Sequence, residues 1–552
     1  MSQVELTESV AAYGVRSSEP VAAFGAGRST EIRGAFGVIP HGDDGRRNGW
    51  RGRLVTLLAI LGPGLIVMVG DNDAGAFSAY TQAGQTYGTG LLWTLLLLIP
   101  VLYVNQEMVV RLGAVTRVGH AKLILKRYGK FWGAFSVIDL FLLNALTIVT
   151  EFIGVSLGLD FLGLPRVWGV GLAALVTVLA AGTGDFRRFE RFMMVLVAGS
   201  FAIVPIVFMV HPSMGQVAHD FLVPNLPKQG KLSDVMLLII AIVGTTVAPW
   251  QLFFQQSYVI DKRITPRFMS YEKVDLWVGI VVVVIGAAAM MAFTAAAFAG
   301  AAGFGHFTDA AGVARGLQAH SGRLAGVLFA IGLIDASVIG AGAVSLSTAY
   351  ALGDVLSLEH SLHRKVTDAP AFYFVYAGLI AVAAALVLTP GVPLGLLTSA
   401  VQSLAGVLLP SATVFLLLLC NDEQVLGPWV NGRWLNAFTG LVIAALVLLS
   451  LILTASVLFP NLSVEGLLGP MGVGGGAGAF AWLAVAARKG PRRKTFDSAL
   501  KDRWVMAPID RLGRAQLTGG ARLWMMVLRG YLLLAGGLVL VRIVSLALVR
   551  HA

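Results

Sequence analysis

The chain has 552 residues, of which 57% are hydrophobic and 13% are charged, and its mean hydropathy is +0.78. This composition excludes a soluble globular protein and indicates a polytopic membrane protein, whose helices satisfy their own backbone hydrogen bonds. The formal net charge of +11 comes mostly from loops between apolar runs, so it indicates membrane orientation and no nucleic-acid partner. The one cysteine, Cys420, excludes a disulfide framework and a cysteine-rich metal site.

The N-terminal residues 1–53 are polar and of low complexity, without a short apolar segment near the start. We therefore expect a disordered cytosolic tail and no cleaved signal peptide. Apolar runs of about the length of a membrane span follow. They lie near 54–80, 88–112, 132–160, 166–183, 190–211, 233–258, 273–300, 322–353, 369–389, 393–420, 435–459, 465–487 and 522–548. The last contains Arg529 and Arg542, so the predicted count is 12 or 13 spans.

Basic loops alternate with weakly charged loops along the chain, and the alternation places the N-terminus in the cytoplasm. We expect a multi-pass protein of the plasma (inner) membrane, surrounded by lipid.

Two of the runs are interrupted. The first breaks at "GDNDAGA" (70–76), and the sixth breaks around Gly244 to Pro249, where proline removes a helix hydrogen bond. Interrupted spans five apart are typical of an inverted-repeat transporter with its substrate at the bilayer midplane. The predicted fold is all-α, with a LeuT-like inverted repeat of 5+5 helices over 54–211 and 233–420. Two or three additional helices and a basic cytosolic loop occupy 421–552.

Asp71 and Asp73 lie in the first interruption, where a charge at bilayer depth costs roughly 2.5–3.5 kcal/mol. Unwound backbone with carboxylates beside free carbonyl groups predicts a cation site. The alternative role for Asp73 is helix capping. Asp71 either adds to the negative electrostatic field of the site or caps the broken helix. Thr245 and Thr246 in the sixth span either line the site or bond back to helix carbonyls.

These motifs resemble those of the NRAMP family of divalent-metal transporters, and more closely those of its magnesium-transporting branch. The resemblance covers about residues 54–445 and includes Gln402, eight residues before Pro410, which matches a family glutamine on the tenth span. The other matching segments are Gly62-Pro63-Gly64, Asp73-Ala74-Gly75-Ala76, Gln82-Ala83-Gly84, Thr245-Thr246-Val247-Ala248-Pro249-Trp250 and "NDEQVLGPWVNGRWLN".

The resemblance implies that the Asp73 carboxylate, the Gly70 and Thr245 carbonyls and Gln402 bind the metal. The family's metal-binding asparagine, its thioether ligand and the following histidine correspond to Ala76, Ala248 and Trp250. Oxygen ligands suit Mg²⁺ and Mn²⁺, and a site widened by two alanines fits an ion that keeps its waters. The metal is then a transported substrate, and no cofactor is implied.

Proton coupling is not expected. Glu151 matches a family acid on the third span, but Ile148 occupies the position of a second acid and Trp250 that of a histidine. Asp335 on the eighth span is a further carboxylate that either serves helix packing or belongs to the pathway.

We expect a secondary transporter that imports divalent ions, chiefly Mg²⁺, by alternating access. An enzyme is not expected, because no nucleophile triad, phosphate loop or Cys/His cluster is visible. The alternatives are a Mn²⁺ or transition-metal transporter that uses Thr246 or Asp71, a small-solute transporter on the same fold, and a membrane sensor that transports nothing.

Overall fold

The computed structural model describes residues 31–40, 45, 47, 49–227, 230–389, 394–458, 501, 504–515, 525–526, 529–530, 533 and 537. A short antiparallel hairpin comes first, formed by β1 (Ile32–Gly34) and β2 (Gly37–Ile39). The α-helices that follow are α1 (Gly49–Ile60), α2 (Pro63–Gly70), α3 (Ala74–Tyr87), α4 (Trp93–Thr116), α5 (His120–Tyr128), α6 (Lys130–Leu162), α7 (Arg166–Ala181), α8 (Phe186–Gly199), α9 (Val204–Val210), α10 (Met214–Leu222), α11 (Leu232–Thr246), α12 (Pro249–Asp261), α13 (Met269–Phe298), α14 (Ala310–Ser321), α15 (Arg323–Leu356), α16 (Pro370–Val387), α17 (Leu394–Cys420), α18 (Glu423–Leu426) and α19 (Arg433–Leu458).

Within these described ranges, nine helical segments are long and apolar enough to cross a bilayer. They are Trp93–Thr116, Lys130–Leu162, Phe186–Val210, Leu232–Asp261, Pro266–Phe298, Arg323–Leu356, Pro370–Val387, Leu394–Cys420 and Arg433–Ile452. Helices α1 and α2 add a tenth if they are taken as one span bent by 52°, and α7 is a shorter apolar helix. The all-α membrane fold is confirmed. The predicted span 465–487 and most of 522–548 lie outside the described residues, so the count of 12 or 13 stays a prediction.

The first predicted break separates α2 from α3. Helix α3 begins after Asp73, whose side chain accepts a hydrogen bond from the Ala76 amide at 2.9 Å, the usual N-cap bond. Between the two helices, the Asn72 side chain donates to the Val283 carbonyl of α13 at 3.3 Å. The first break is therefore held by the N-cap of α3 and by a hydrogen bond to the neighbouring helix α13.

The second predicted break separates α11 from α12. Pro249 is the first residue of α12, where its missing N–H costs nothing, and it holds Ala248 in an extended conformation. Helix α11 ends at Thr246 because the chain cannot remain helical up to a proline. Both interruptions thus follow from local residue chemistry, as the sequence predicted.

Helix α17 approaches the second break closely because both helices carry glycine at the contact. A Cβ atom on Gly244 would lie 2.1 Å from the Gln402 carbonyl oxygen, and one on Gly406 would lie 2.3 Å from the Ile240 carbonyl oxygen. Small residues allow the backbones to meet, as is common between membrane helices. This approach positions α17 beside the broken sixth span.

The hairpin β1–β2 is a feature that the sequence did not predict. The expectation of disorder throughout 1–53 is wrong for residues 32–39, which form the hairpin. Helix α1 also begins within 1–53, at Gly49. The Ala35 amide donates to the Glu190 side chain at 2.5 Å, and the Arg191 side chain donates to the Ala35 carbonyl at 3.0 Å. Glycine at position 34 allows the hairpin to contact α1, because a Cβ there would lie 1.9 Å from the Ala59 carbonyl oxygen.

The hairpin docks on a buried ion pair. Lys262 and Glu190 lie 2.7 Å apart and are fully buried, and Lys262 also donates to the Ile60 and Leu61 carbonyls at the end of α1. A buried charge pair of this kind needs further hydrogen bonds to be tolerated. The Ala35 amide supplies one of them, so hairpin, α1, α8 and α12 are joined at one point.

We predict that Gly34→Ala detaches the hairpin from α1, because the added methyl group would collide with backbone and not with a flexible side chain. Hydrogen–deuterium exchange should show faster exchange over residues 31–40 in the purified variant. Gly52→Ala on α1 is the matched control, since a Cβ there has open space around it. Equal protection in both variants would contradict the docking.

Candidate functional site

The two breaks face each other inside the protein. The Tyr80 hydroxyl of α3 is 2.6 Å from the Thr246 hydroxyl at the end of α11, and the Gln251 amide of α12 donates to the Asp71 carboxylate. A Cβ atom on Gly70 would lie 3.5 Å from the Trp250 ring. The structure therefore brings together residues about 180 positions apart, as the sequence predicted for the two interruptions.

Asp73 is almost fully buried, at 2% exposure. One carboxylate oxygen caps α3, and the Glu151 carboxyl of α6 lies close enough to hydrogen bond to Asp73 when one of the pair is protonated. Glu151 also accepts from the Ala74 amide at 3.2 Å, while its other oxygen has no partner. The capping interpretation of Asp73 is thus correct in geometry, and it coexists with a position in the gap between the breaks.

Gln402 of α17 closes a third side of the gap. Its amide nitrogen occupies the space above Gly75, where a Cβ atom would lie only 1.7 Å away, and that nitrogen has no hydrogen-bond partner. Gly75 therefore has to be glycine for Gln402 to lie against the first turn of α3. Gln402 of the tenth predicted span thus lies against the helix that Asp73 caps.

The two threonines differ in what their hydroxyls do. Thr246 donates to the Ile242 carbonyl at 2.6 Å, the back-bonding that the sequence left as an alternative, and accepts from Tyr80. The Thr245 hydroxyl is buried and has no partner. Since the Thr246 hydroxyl is already bonded twice, Thr245 is the threonine whose side chain is free.

Ala76 and Ala248 are buried beside the two breaks and offer only methyl groups. Within the part of the chain that the structure describes, no group of three or more His, Cys, Asp or Glu side chains could hold a metal ion. The polar groups at the breaks are instead carboxylate, amide and hydroxyl groups together with backbone carbonyls. Such a donor set suits hard cations and lacks the nitrogen or sulfur ligands that transition metals favour.

Asp71 is fully buried, and its hydrogen bond goes to Gln251 and not to a helix N–H group. Its second oxygen has no partner. The Asp71 side chain therefore makes no capping bond, although Asp71 is the C-cap residue of α2 and its backbone N–H donates to the Met68 carbonyl at 3.2 Å.

Of two further candidates from the sequence, Asp335 lies away from this gap and Trp250 lines its wall. Asp335 accepts a hydrogen bond from Ser200 at 3.2 Å where α15 passes the short 3₁₀ turn after α8, and it does not contact the breaks. Trp250 is buried, and its carbonyl accepts from Ser347 at 2.9 Å, so it forms part of the wall.

The sequence interpretation missed Gln106, Gln251 and Tyr80. Gln251 joins Asp71 to Gln106 of α4, whose amide donates to Gln251 at 2.7 Å. The available signal was the presence of glutamine in otherwise apolar spans, as in "VLYVNQEM" and "PWQLFFQQ". Buried amides in a membrane span generally have a structural or functional partner.

Two broken spans that meet across a buried, oxygen-lined gap define a membrane transporter of the broken-helix class. The sequence profile of the natural resistance-associated macrophage protein-like (Nramp) family matches residues 64–456. The chain belongs to this family of multi-pass membrane proteins.

Similar proteins are known in bacteria. The divalent metal cation transporter MntH of Aeromonas hydrophila is 26% identical over 407 residues, which cover 70% of this chain and 93% of MntH. MntH of Ralstonia nicotianae is 29% identical over 411 residues, with 70% and 88% coverage. The manganese transporter of Eremococcus coleocola has the same fold, with a TM-score of 0.61 at 19% identity, over 83% of this chain and 98% of that one. By name, these relatives are transporters of metal ions.

We predict that Gly75→Ala weakens divalent-ion binding, because the new methyl group displaces the Gln402 amide from α3. Isothermal titration of the purified protein with Mn²⁺ should show a loss of affinity of at least tenfold. Gly378→Ala on α16 is the control, because a Cβ there meets nothing within 4 Å. Unchanged affinity in the Gly75 variant would place Gln402 outside the binding site.

Proposed function

We propose that this protein transports divalent metal ions, with Mg²⁺ as its principal substrate and Mn²⁺ as a second one. The observation that carries the proposal is the donor set at the two breaks. Asp73, Gln402 and the Gly70 and Thr245 carbonyls offer oxygen, while Ala76 and Ala248 stand where the family resemblance implies an amide and a thioether. Removing the soft ligand favours Mg²⁺ and Mn²⁺ over softer metals.

Hydration supports Mg²⁺ in particular. Mg²⁺ releases its waters reluctantly and usually keeps several of them when one or two carboxylates bind it. Asp71 and Thr245 each have a buried oxygen without a hydrogen-bond partner beside the breaks. Waters retained by a bound ion would donate hydrogen bonds to those oxygens.

The competing assignments have less support. A transition-metal transporter would have to recruit Thr246 or Asp71, but the Thr246 hydroxyl is already bonded to Ile242 and Tyr80, and Asp71 adds a hard oxygen ligand in place of a thioether. An anionic small solute would meet the carboxylates of Asp71 and Asp73. We further propose a plasma-membrane location with a cytoplasmic N-terminus, on the charge alternation of the loops.

Ion uptake needs no proton coupling on energetic grounds. An inside-negative potential of 100 mV contributes about 2 × 2.3 kcal/mol to the entry of a divalent ion. That energy corresponds to roughly a thousandfold concentration ratio or more. Voltage alone therefore suffices to drive Mg²⁺ uptake, consistent with Trp250 and Ile148 at the positions of the family's histidine and second acid.

The proposal is tested with purified protein in liposomes that carry a Mg²⁺ indicator. We expect Mg²⁺ influx in the parent and a loss of most of it in Asp73→Asn. Asparagine keeps a cap for α3 but removes the charged ligand, so the variant should remain folded. Asp335→Asn, which neutralises a carboxyl away from the breaks, should transport normally. Full flux in Asp73→Asn would refute the assigned site, and a parent without any metal flux would indicate a sensor.

Proton coupling is tested with a pH indicator inside the same liposomes. During Mg²⁺ influx driven by a potassium diffusion potential, we expect the internal pH to stay constant. A proton ionophore added afterwards confirms that the dye responds. Acidification that requires Mg²⁺ would contradict uncoupled transport.

Ion selectivity should depend on Ala248 and Ala76. We expect the double variant Ala248→Met and Ala76→Asn to gain Cd²⁺ transport and to lose Mg²⁺ transport most, since it adds a soft ligand and reduces the room for water. Ala248→Leu with Ala76→Asn adds similar volume without sulfur and should not gain Cd²⁺ transport. Both variants are first checked for folding by size exclusion. A parent that carries Cd²⁺ well but not Mg²⁺ would favour the transition-metal assignment.

A further inference from the structure

Asp71 has an unusual pattern of partners for a buried carboxylate. It is fully buried, one oxygen accepts a hydrogen bond from Gln251, and the other has no partner. A buried acceptor without a partner is costly in a finished site, so the free oxygen points to a ligand that arrives during function. Asp71 lies two residues before Asp73 in the same break.

The Gln251 amide is itself held in one orientation. Gln251 presents its NH₂ group to one Asp71 oxygen, which accepts the hydrogen bond. Its carbonyl oxygen then faces Gln106 of α4, which donates to it at 2.7 Å. Both glutamines are fully buried. A chain of two amides therefore runs from the fourth helix to the first break and fixes which oxygen of Asp71 remains free.

We propose that Asp71 accepts hydrogen bonds from waters that the transported ion retains, and that Gln251 and Gln106 are positioning residues for this contact. The inference rests on the proposed Mg²⁺ transport and names the group that selects the hydrated ion. Because Gln251 donates to one oxygen, bidentate binding of a bare ion by Asp71 would compete with that hydrogen bond. The remaining oxygen is suited to a metal-bound water, which Mg²⁺ gives up reluctantly.

The test compares Mg²⁺ and Mn²⁺ uptake by full-length protein in liposomes. Gln251→Leu removes the donor that orients Asp71. A hydrogen bond to a charged group contributes about 1.5–3 kcal/mol, so we expect the KM for Mg²⁺ to rise about tenfold or more. The KM for Mn²⁺ should rise less and the maximal rate should stay the same. Gln106→Leu should change selectivity in the same direction by a smaller factor.

Epistasis separates positioning from a general structural effect. If Gln251 acts through Asp71, Gln251→Leu should add nothing to the KM for Mg²⁺ once Asp71→Asn is present. Gln255→Leu is the matched control, because Gln255 lies one turn further along α12 and is equally buried, while the hydrogen bond to Asp71 comes from Gln251. It should leave the ratio of Mg²⁺ to Mn²⁺ transport unchanged.

Two results would overturn the inference while leaving the proposed function intact. One is a Mg²⁺-transporting parent whose ion selectivity Gln251→Leu does not change, and the other is multiplicative effects of Gln251→Leu and Asp71→Asn. A parent that carries no Mg²⁺ overturns the proposed function and this inference with it. If Gln251→Leu does not fold, Gln251→Asn makes the same test, since its amide is one methylene too short to reach Asp71.

Discussion

The structure depends on the cost of interrupting a helix inside a membrane. Where α2 and α11 stop, backbone groups lose their helical partners in a region without bulk water, and each unpaired group costs several kcal/mol. The protein places both interruptions opposite each other, so that the freed groups share one interior gap. Asp73 caps one new helix, and Pro249 begins the other without needing a donor. The cation site that we propose lies at this meeting point.

Close helix approach then decides which side chains line the gap. Gly244 and Gly406 let α11 and α17 meet at backbone contact distance, and Gly75 leaves room for the Gln402 amide on α3. Because the backbone of α17 lies so close to both broken spans, one glutamine from the tenth predicted span reaches the first. Small residues here determine ligand geometry as much as the ligands themselves do.

The end of the first span near α1 is held by contacts separate from the proposed ion site. Asp275 accepts hydrogen bonds from the Gly62, Gly64 and Leu65 amides and so caps the start of α2. Lys262 bonds the end of α1 and pairs with Glu190, which the hairpin contacts through Ala35. Movement of α2 during transport would have to break several of these contacts, so this end of the span is held more firmly than the unwound segment between α2 and α3.

The sequence by itself determined the class of fold and the positions of both breaks. Proline, glycine and aspartate affect the backbone conformation of their immediate neighbours. The breaks at "GDNDAGA" and at the segment ending at Pro249 can therefore be predicted without any tertiary information. The set of candidate ligands followed from motif resemblance at the same positions. Tertiary structure alone decided that the Thr246 hydroxyl is hydrogen bonded to Tyr80 and Ile242. It also decided that Asp71 accepts a hydrogen bond from Gln251, which is bonded in turn to Gln106, and that part of the tail forms a docked hairpin. Those contacts join residues that are mostly far apart along the chain, and a buried side chain takes its orientation from the groups packed around it. No local pattern in the sequence specifies that packing.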